Sequence, residues 1–484
     1  MSFLKDPSLL RDRAWLNGQW AAADNGETFP VDNPATGEHV GVVPRMGAAE
    51  TERAIDAANA AGPAWRALTA KARAALLQAW LQQIQQHAED LAVLMTVEQG
   101  KPLAEARGEV AYAASFIEWF AEEAKRLYGE TIPSPLADRR LLVLREPIGV
   151  CAAITPWNFP LAMITRKVAP ALAAGCPIIV KPAESTPLSA LALAVLAERA
   201  GIPGGVLQVL TGDPRAIGGA LTTSPVVRKL SFTGSTEVGR LLYAQSAPTI
   251  KKLSLELGGN APFIVFDDAD LDAAVQGAMA SKFRNAGQTC VCANRLYVHD
   301  KVYDAFTAKL VEAVQGLKVG NGLEPGVTQG PLIDRAALAK VEDHIDDAVT
   351  RGARVLTGGR RADLGKTFFE PTVLADVPAD AKVAREETFG PLAPVFRFHT
   401  DEEVIALANN TEFGLASYFF SRDVGRIFRV AEALEYGMVG VNTGMISNEV
   451  APCGGVKQSG LGREGSRHGI EDYLVTKYVA LAGL

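Results

Sequence analysis

A cysteine closes the stretch Phe283-Arg284-Asn285-Ala286-Gly287-Gln288-Thr289-Cys290, and such a thiol serves either as a nucleophile or as a small buried hydrophobe. To act as a nucleophile it must reach the thiolate, which takes a base, a dipole or a positive charge nearby. Two other stretches supply that company. Leu255-Glu256-Leu257-Gly258-Gly259-Asn260 puts a carboxylate at an apolar, glycine-rich strand end, where burial lifts its pKa toward a general base's working range. Thr155-Pro156-Trp157-Asn158-Phe159-Pro160 puts an amide at the C-terminal end of another expected strand, where it either donates to an oxyanion or simply closes a turn. Each motif alone is ambiguous. Together they point to Cys290 as nucleophile, Glu256 as base and Asn158 as oxyanion donor.

Two further motifs suit a phosphate-bearing ligand. Phe232-Thr233-Gly234-Ser235-Thr236-Glu237-Val238-Gly239 follows a strand and opens a helix, whose first N–H groups and positive dipole end attract phosphate. Gly234 is expected there to allow a tight turn; the full G-x-G-x-x-G spacing is lacking, and glycine at such a place is also plain turn chemistry. Lys181-Pro182-Ala183-Glu184 follows the apolar run 177–180; a lysine and an acid at a strand's C-terminal end either reach ribose hydroxyls or form a solvated charge pair. No metal is expected: His39, His87, His299, His344, His399 and His468 show no ligand spacing, and Cys290-Val291-Cys292 has no Cys or His close in sequence to complete a site.

The elements that must position these residues follow from periodicity. Leu76, Leu77, Trp80, Leu81 and Ile84 recur at three- and four-residue spacing, which defines one helical face, and Gly100-Lys101-Pro102 is a helix stop. A second amphipathic stretch covers 103–128. Leu141 to Leu144 form a β-prone run, read as an edge or interface strand. From 148 to 266, short apolar runs at 148–155, 177–181, 206–210, 229–233 and 261–266 are interspersed with helical stretches such as 188–200. Buried strands joined by crossover helices predict a parallel sheet with helices on its faces, a nucleotide-binding type of architecture. Residues 260–440 alternate again, with strands expected at 293–298, 353–356 and 439–441, and the apolar tail 473–484 can add a strand, a partner subunit's sheet included.

Bulk properties bound the rest. At 484 residues the chain is too long for one core and implies two to four domains. A net charge of −7 argues against nucleic acid as the main partner. Five scattered cysteines, Cys151, Cys176, Cys290, Cys292 and Cys453, are too few for a disulfide scaffold and indicate a reducing compartment. No apolar run reaches the roughly 20 residues that cross a bilayer, and Met1 to Arg13 does not resemble a signal peptide, so a cytoplasmic protein with no membrane partner is expected.

The ordered set Pro156-Trp157-Asn158-Phe159-Pro160, Lys181-Pro182-Ala183-Glu184, Phe232-Thr233-Gly234-Ser235-Thr236, Glu256-Leu257-Gly258-Gly259, Gly287-Gln288-Thr289-Cys290 and Glu387-Thr388-Phe389-Gly390-Pro391 spans most of the chain. In that order it resembles the aldehyde dehydrogenase superfamily. The resemblance implies an α/β fold with a Rossmann-like cofactor domain (1–130 and 150–256), an αβ catalytic domain (257–440) and small β oligomerisation segments (131–149 and 470–484), with 441–469 returning to the substrate mouth. It implies a homotetramer or homodimer that uses NAD or NADP. Cys290 would attack an aldehyde, Asn158 and the Cys290 N–H would hold the oxyanion, hydride would pass to the nicotinamide, and Glu256 would activate water to release the acid. Lys181 and Glu184 would bind the adenosine ribose, Ser235 the pyrophosphate and Glu387 the nicotinamide ribose; Thr155, Pro156, Trp157, Ala183, Thr233, Gly234, Val238, Leu257 and Phe389 would complete the cofactor contacts.

Within the superfamily the stretches 113–123, 281–292 and 446–449 are similar to the bacterial succinate-semialdehyde branch of 4-aminobutyrate degradation. A substrate ending in a carboxylate suits guanidinium forks from Arg166 and Arg284 and a hydroxyl from Ser447, although each arginine also reads as an ordinary surface or interdomain pair. Glu184 stands where some NADP-preferring relatives carry a small hydroxyl residue; a carboxylate accepts from a ribose 2′-OH and repels a 2′-phosphate, so NAD is expected over NADP. Cys453 stands where the family commonly has Phe, which widens the substrate mouth and makes glutarate semialdehyde, or a broader aldehyde range, the alternative. Cys292 is either a redox partner for Cys290 or a packing residue. A silent dinucleotide-binding homologue is disfavoured by intact Cys290, Glu256 and Asn158.

Overall fold

The computed structural model describes residues 3–483, which leaves Met1 and Ser2 of the first expected segment and Leu484 of the last outside the description. The helix Ala70–Gln86 starts where Thr69 accepts the N–H of Ala72 at 3.2 Å, and buries Leu77, Trp80, Leu81 and Ile84 along one stripe. Leu76, expected on the same face, is half-buried. The next helix, Ala88–Gln99, ends at Gly100, whose φ of 97° is the left-handed cap that glycine adopts without a Cβ penalty. Leu103–Glu123 follows and lays Val110, Phe116, Ile117 and Phe120 into the same core as the fully buried helix Ala162–Ala174.

Among the described residues the strands form four sheets. The largest runs Gly460–Leu461, Lys252–Glu256, Val227–Thr233, Val150–Ile154, Ile178–Lys181, Leu207–Val209, Ala14–Leu16, Gln19–Ala21. Its five middle strands are parallel, as the continuous apolar runs predict, but Gly460–Leu461 and the Ala14–Leu16 hairpin join antiparallel, so the sheet is mixed rather than parallel throughout. The second runs Arg354–Thr357, Thr372–Ala375, Leu392–Phe398, Ala293–His299, Ala261–Val265, Ala416–Phe420, Met438–Val441. Three of these strands, at 372–375, 392–398 and 416–420, escape the sequence reading because nearly every residue is buried on both faces, leaving no alternation to detect.

A third sheet narrows two expectations. Arg139–Pro147 is its middle strand rather than an edge, paired on one side with Glu130–Ile132 and on the other with Leu474–Ala482. The C-terminal strand therefore pairs within its own chain, in a nine-residue antiparallel register from Leu474 opposite Pro147 to Ala482 opposite Arg139. A two-stranded hairpin, Thr28–Asp32 with His39–Pro44, completes the set.

The two large sheets are joined by a very short crossing: Glu256 ends a strand of the first and Ala261 begins a strand of the second. Arg295, 1% exposed, locks that crossing from the adjacent strand. Its Nε donates to the Asn260 carbonyl at 3.0 Å, Nη1 to that of Leu407 at 3.0 Å, and Nη2 to Ala408 at 3.0 Å and the Tyr436 hydroxyl at 2.9 Å. Each buried acceptor left without a donor costs about 1–3 kcal/mol. Arg295→Met keeps the length but strands the Asn260 and Leu407 carbonyls, while Ala408 keeps the Tyr436 hydroxyl, so the urea midpoint should fall by the equivalent of about 3 kcal/mol; an unchanged midpoint would refute the lock.

Candidate active site

A cavity of about 280 Å³ opens where the sheets meet, and Cys290, Glu256 and Asn158 all line it. They arrive on loops at strand ends. Asn158 follows Val150–Ile154, Gly234 follows Val227–Thr233, Glu256 closes Lys252–Glu256, Cys290 precedes Ala293–His299, and Glu387 with Phe389 precedes Leu392–Phe398. Asn158, Gly234 and Glu256 thus lie at carboxyl ends of strands, where ligands of open α/β sheets sit, whereas Cys290 and Glu387 lie on loops that enter theirs.

The nucleophile loop is strained. Asn285, Ala286 and Gly287 are successively left-handed, with φ of 51°, 54° and 73°, a conformation that non-glycine residues hold only under constraint. Asn158 Nδ2 donates to the Gln288 carbonyl at 3.0 Å, and the amide's second proton is left over. A Cβ on Gly259 would come within 2.6 Å of the Cys290 carbonyl, so glycine lets the crossing pass close against the nucleophile's backbone. Burial pushes the Cys290 thiol up to about 12, with Cys453 and Glu387 adding to the effect and Arg166 opposing it.

Glu256 is a buried carboxylate whose Oε1 has no hydrogen-bond partner. Burial first, then the negative charge of Glu464, pushes its pKa up to about 8, against the pull of Arg166 and Lys167. Glu464 itself is held by both cations, through an ion pair to Lys167 Nζ and one to Arg166 Nε at 2.5 Å, and Ser231 Oγ donates to it at 3.2 Å. Lys167 also donates to Thr233 Oγ1 at 2.6 Å. Sequence reasoning missed Lys167 and Glu464 as site residues. They lie 297 positions apart, and neither has a local signal.

Arg166 is 5% exposed and its partner is the interior Glu464, so it is not a surface pair; its Nη2 makes no hydrogen bond. Arg284 lies over the Phe159 ring at 5.2 Å and points Nη1 toward Met445 Sδ at 3.9 Å, in no ion pair among the described residues. Both arginines, Ser447 and Cys453 line the cavity. Cys292 does not: it is buried, and its thiol donates to the Lys282 carbonyl at 3.3 Å. Tyr112, Met163 and Lys340 line the cavity without having been anticipated.

On the other flank, Trp157 and Phe389 meet edge-to-face with centroids 5.6 Å apart. Glu387 Oε1 accepts the Gly259 N–H at 3.1 Å, and burial lifts this carboxyl to about 7. Pro156, Thr233, Gly234, Ser235 and Leu257 line the same wall. Gly234 is there for room and not for a left-handed turn, since a Cβ would overlap the Phe232 ring and its φ is not positive. Ser235 caps the helix Thr236–Ser246, its Oγ accepting the Val238 N–H at 3.3 Å; Val238 is 41% exposed. Lys181 and Glu184 form an ion pair beyond the cavity along the same sheet edge, where Thr155 N–H donates to the Lys181 carbonyl at 3.1 Å and Ala183 is half-buried. Among the described residues no group of His, Cys, Asp and Glu could hold a metal, and no helix is long and apolar enough to cross a membrane.

Comparison with known proteins is consistent across the whole chain. The profile of the aldehyde dehydrogenase family matches residues 20–479. A glutarate-semialdehyde dehydrogenase of Pseudomonas aeruginosa is 68% identical over 99% of this chain and 100% of its own length. An NADP(+) succinate-semialdehyde dehydrogenase of Escherichia coli is 66% identical, covering 99% of each chain. The crystal structure of a succinate-semialdehyde dehydrogenase from Burkholderia pseudomallei superposes with a TM-score of 0.99 at 68% identity, over 99% of this chain and 100% of that one.

The raised Glu256 carboxyl sets the pH response of any step it serves as base. It takes a proton only when ionised, so kcat/KM should climb through a midpoint near 8 and level off above it. Glu464→Gln removes the negative neighbour and frees Arg166 and Lys167, which both favour the carboxylate, so the midpoint should move to lower pH. A midpoint that stays put, or rises, contradicts the assignment.

Proposed function

The chain belongs to the aldehyde dehydrogenase family, and from that premise we propose that it oxidises succinate semialdehyde to succinate with NAD as preferred cofactor. The observation that carries the reading is one cavity lined by a thiol, a carboxylate with a free oxygen, an amide donor and two arginines. Cys290 adds to the aldehyde carbon. Its thiol is protonated near neutrality, so the proton must leave as sulfur attacks, and Glu256 is the group free to take it, whereas Glu387 commits an oxygen to Gly259. The oxyanion meets the spare proton of Asn158 Nδ2 and the Cys290 N–H. After hydride departs, the Cys290 thioester remains; Glu256 passes the thiol's proton to solvent and then removes one from the water whose attack releases the acid and frees the Cys290 sulfur.

A dinucleotide fits the other wall. The first turn of Thr236–Ser246 presents its N–H groups there, and Lys181 with Glu184 suits ribose hydroxyls. Bound there, the nicotinamide supplies the hydride acceptor. Lys181 is already neutralised by Glu184, which leaves that pair no free charge for a 2′-phosphate and favours NAD. On this reading the eight-stranded sheet carries the cofactor and the seven-stranded sheet the nucleophile; the three-stranded sheet offers the surface for a homotetramer or homodimer. Five unpaired cysteines suit the cytoplasm.

Glutarate semialdehyde is the second reading, favoured by one observation: Cys453, smaller than the Phe common in the family, lines the cavity beside Arg166. Relatives named for glutarate semialdehyde, at 68% and 67% identity, support it as well.

Two measurements test the proposal. Arg284→Ala should raise KM for semialdehydes bearing a carboxylate roughly 10- to 100-fold, the worth of one charged hydrogen bond, and leave an uncharged aldehyde of similar length nearly unaffected; equal effects on both remove the carboxylate anchor, and the wild-type kcat/KM ratio of four- to five-carbon semialdehydes decides between the two substrates. Glu184→Ser should free Lys181 and raise kcat/KM for NADP by roughly tenfold relative to NAD; a wild-type enzyme that already prefers NADP overturns the cofactor assignment.

A further inference from the structure

We propose that Lys101 and Asn285 are positioning residues for the oxyanion donor, clamping the backbone carbonyl of Asn158 from outside the cavity. The inference rests on the reading of Asn158 given above. That carbonyl accepts from two side chains, Lys101 Nζ at 2.7 Å and Asn285 Nδ2 at 3.0 Å, each on a residue 2% exposed. Two fixed donors on one carbonyl set the plane of the peptide that follows Asn158, and with it the direction of the Asn158 side chain.

The clamp is built at both ends. Lys101 lies just before the helix Leu103–Glu123 and forms an ion pair with Glu109 on that helix. The other Glu109 oxygen accepts the N–H groups of Leu161 at 3.0 Å and Ala162 at 3.2 Å, where the Asn158 loop enters Ala162–Ala174. One buried pair thus grips both ends of the loop, and the Phe159 ring lies 4.1 Å under the Lys101 ammonium. Asn285 ties the same carbonyl to the nucleophile loop. Its Nδ2 also donates to the Gln288 carbonyl at 3.3 Å, which is the group that orients Asn158 Nδ2. Its Oδ1 accepts from Gln99 at 3.1 Å and its N–H donates to Glu105 Oε2 at 2.8 Å, which holds the left-handed backbone in place. Dry ion pairs are a poor source of stability compared with apolar packing. What this one supplies is placement, and a displacement of about 1 Å at a reacting group costs on the order of a hundredfold in rate.

The test uses the full-length enzyme carrying Lys101→Met together with Glu109→Gln, which removes both charges and leaves no unpaired one. Aldehyde oxidation and cofactor-free hydrolysis of p-nitrophenyl acetate both pass through an oxyanion, so their kcat values should fall together by roughly 10- to 100-fold. Alkylation of Cys290 by iodoacetamide forms no oxyanion, and its rate, like the Kd for NADH, should stay within about twofold of wild type. A folded double variant with unchanged kcat overturns the clamp, as does a parallel loss of alkylation rate, which would mean a disordered nucleophile loop. Should the double variant not fold, Asn285→Gly keeps the left-handed backbone and removes the second donor, and the same pattern is expected. Asn158→Ala separates the two levels: if it retains both activities, Asn158 is not the oxyanion donor; if it loses them while the clamp variants do not, only the clamp fails.

Discussion

Leu257, Gly258, Gly259 and Asn260 alone carry the chain from the eight-stranded sheet into the seven-stranded one, and the site depends on how little room that crossing takes. A Cβ at Gly258 would stand 3.0 Å from a Glu387 oxygen, and one at Gly259 2.6 Å from the Cys290 carbonyl. With two glycines the backbone of one sheet passes under the loops of the other, so Glu256, Cys290 and Glu387 face a single cavity although they come from three separate strand ends. The N–H of Gly259 is spent on Glu387 and the Asn260 carbonyl on Arg295, so the crossing is tied to both of its neighbours.

Charge is then sorted around that cavity by pairing. Lys101 is matched by Glu109, and Arg166 and Lys167 by Glu464, all nearly dry. Ionised groups out of water must be paired or give up their charge. Glu256 is left over. Its carboxyl has no partner for one oxygen, has a like charge in Glu464 nearby, and responds by holding its proton to about 8. Burial first and the like charge of Glu464 second therefore make Glu256 basic, while the cations that hold Glu464 pull the other way.

What the sequence disclosed followed from how far apart the interacting residues lie. Gly100 ending a helix and the apolar runs at 178–181 and 227–233 are local properties, and periodicity reads them directly. The family was legible too, because its motifs are contiguous. Lys101, Lys167 and Glu464 were not: each is an ordinary charged residue until a partner 57 or 297 positions away is folded against it. Gly234 was noticed for a backbone reason and is needed for a steric one, which only the position of the Phe232 ring reveals. The run at 141–144, which ends at Pro147 and Gly149, reads as an edge or interface strand, yet its strand is covered on both edges by hydrogen-bonded neighbours far away in sequence or across a turn, which no local signal reveals.

Arg166 carries the argument about substrate one step further. Its Nε is committed to Glu464, but Nη2 is buried without an acceptor, a state that costs a charged group more than about 1–3 kcal/mol while it lasts. On the proposed reading a carboxylate entering the cavity would relieve that deficit, so part of its binding free energy would come from satisfying a donor the fold has left open. Arg284 differs: it stacks on Phe159 and is only half-buried, so its charge is partly answered by solvent before the substrate arrives. The two arginines should therefore contribute unequally, with Arg166 fixing where the carboxylate sits and Arg284 mainly drawing it in. With Cys453 beside Arg166, the space in front of that fixed point decides how long a chain fits between the carboxylate and Cys290.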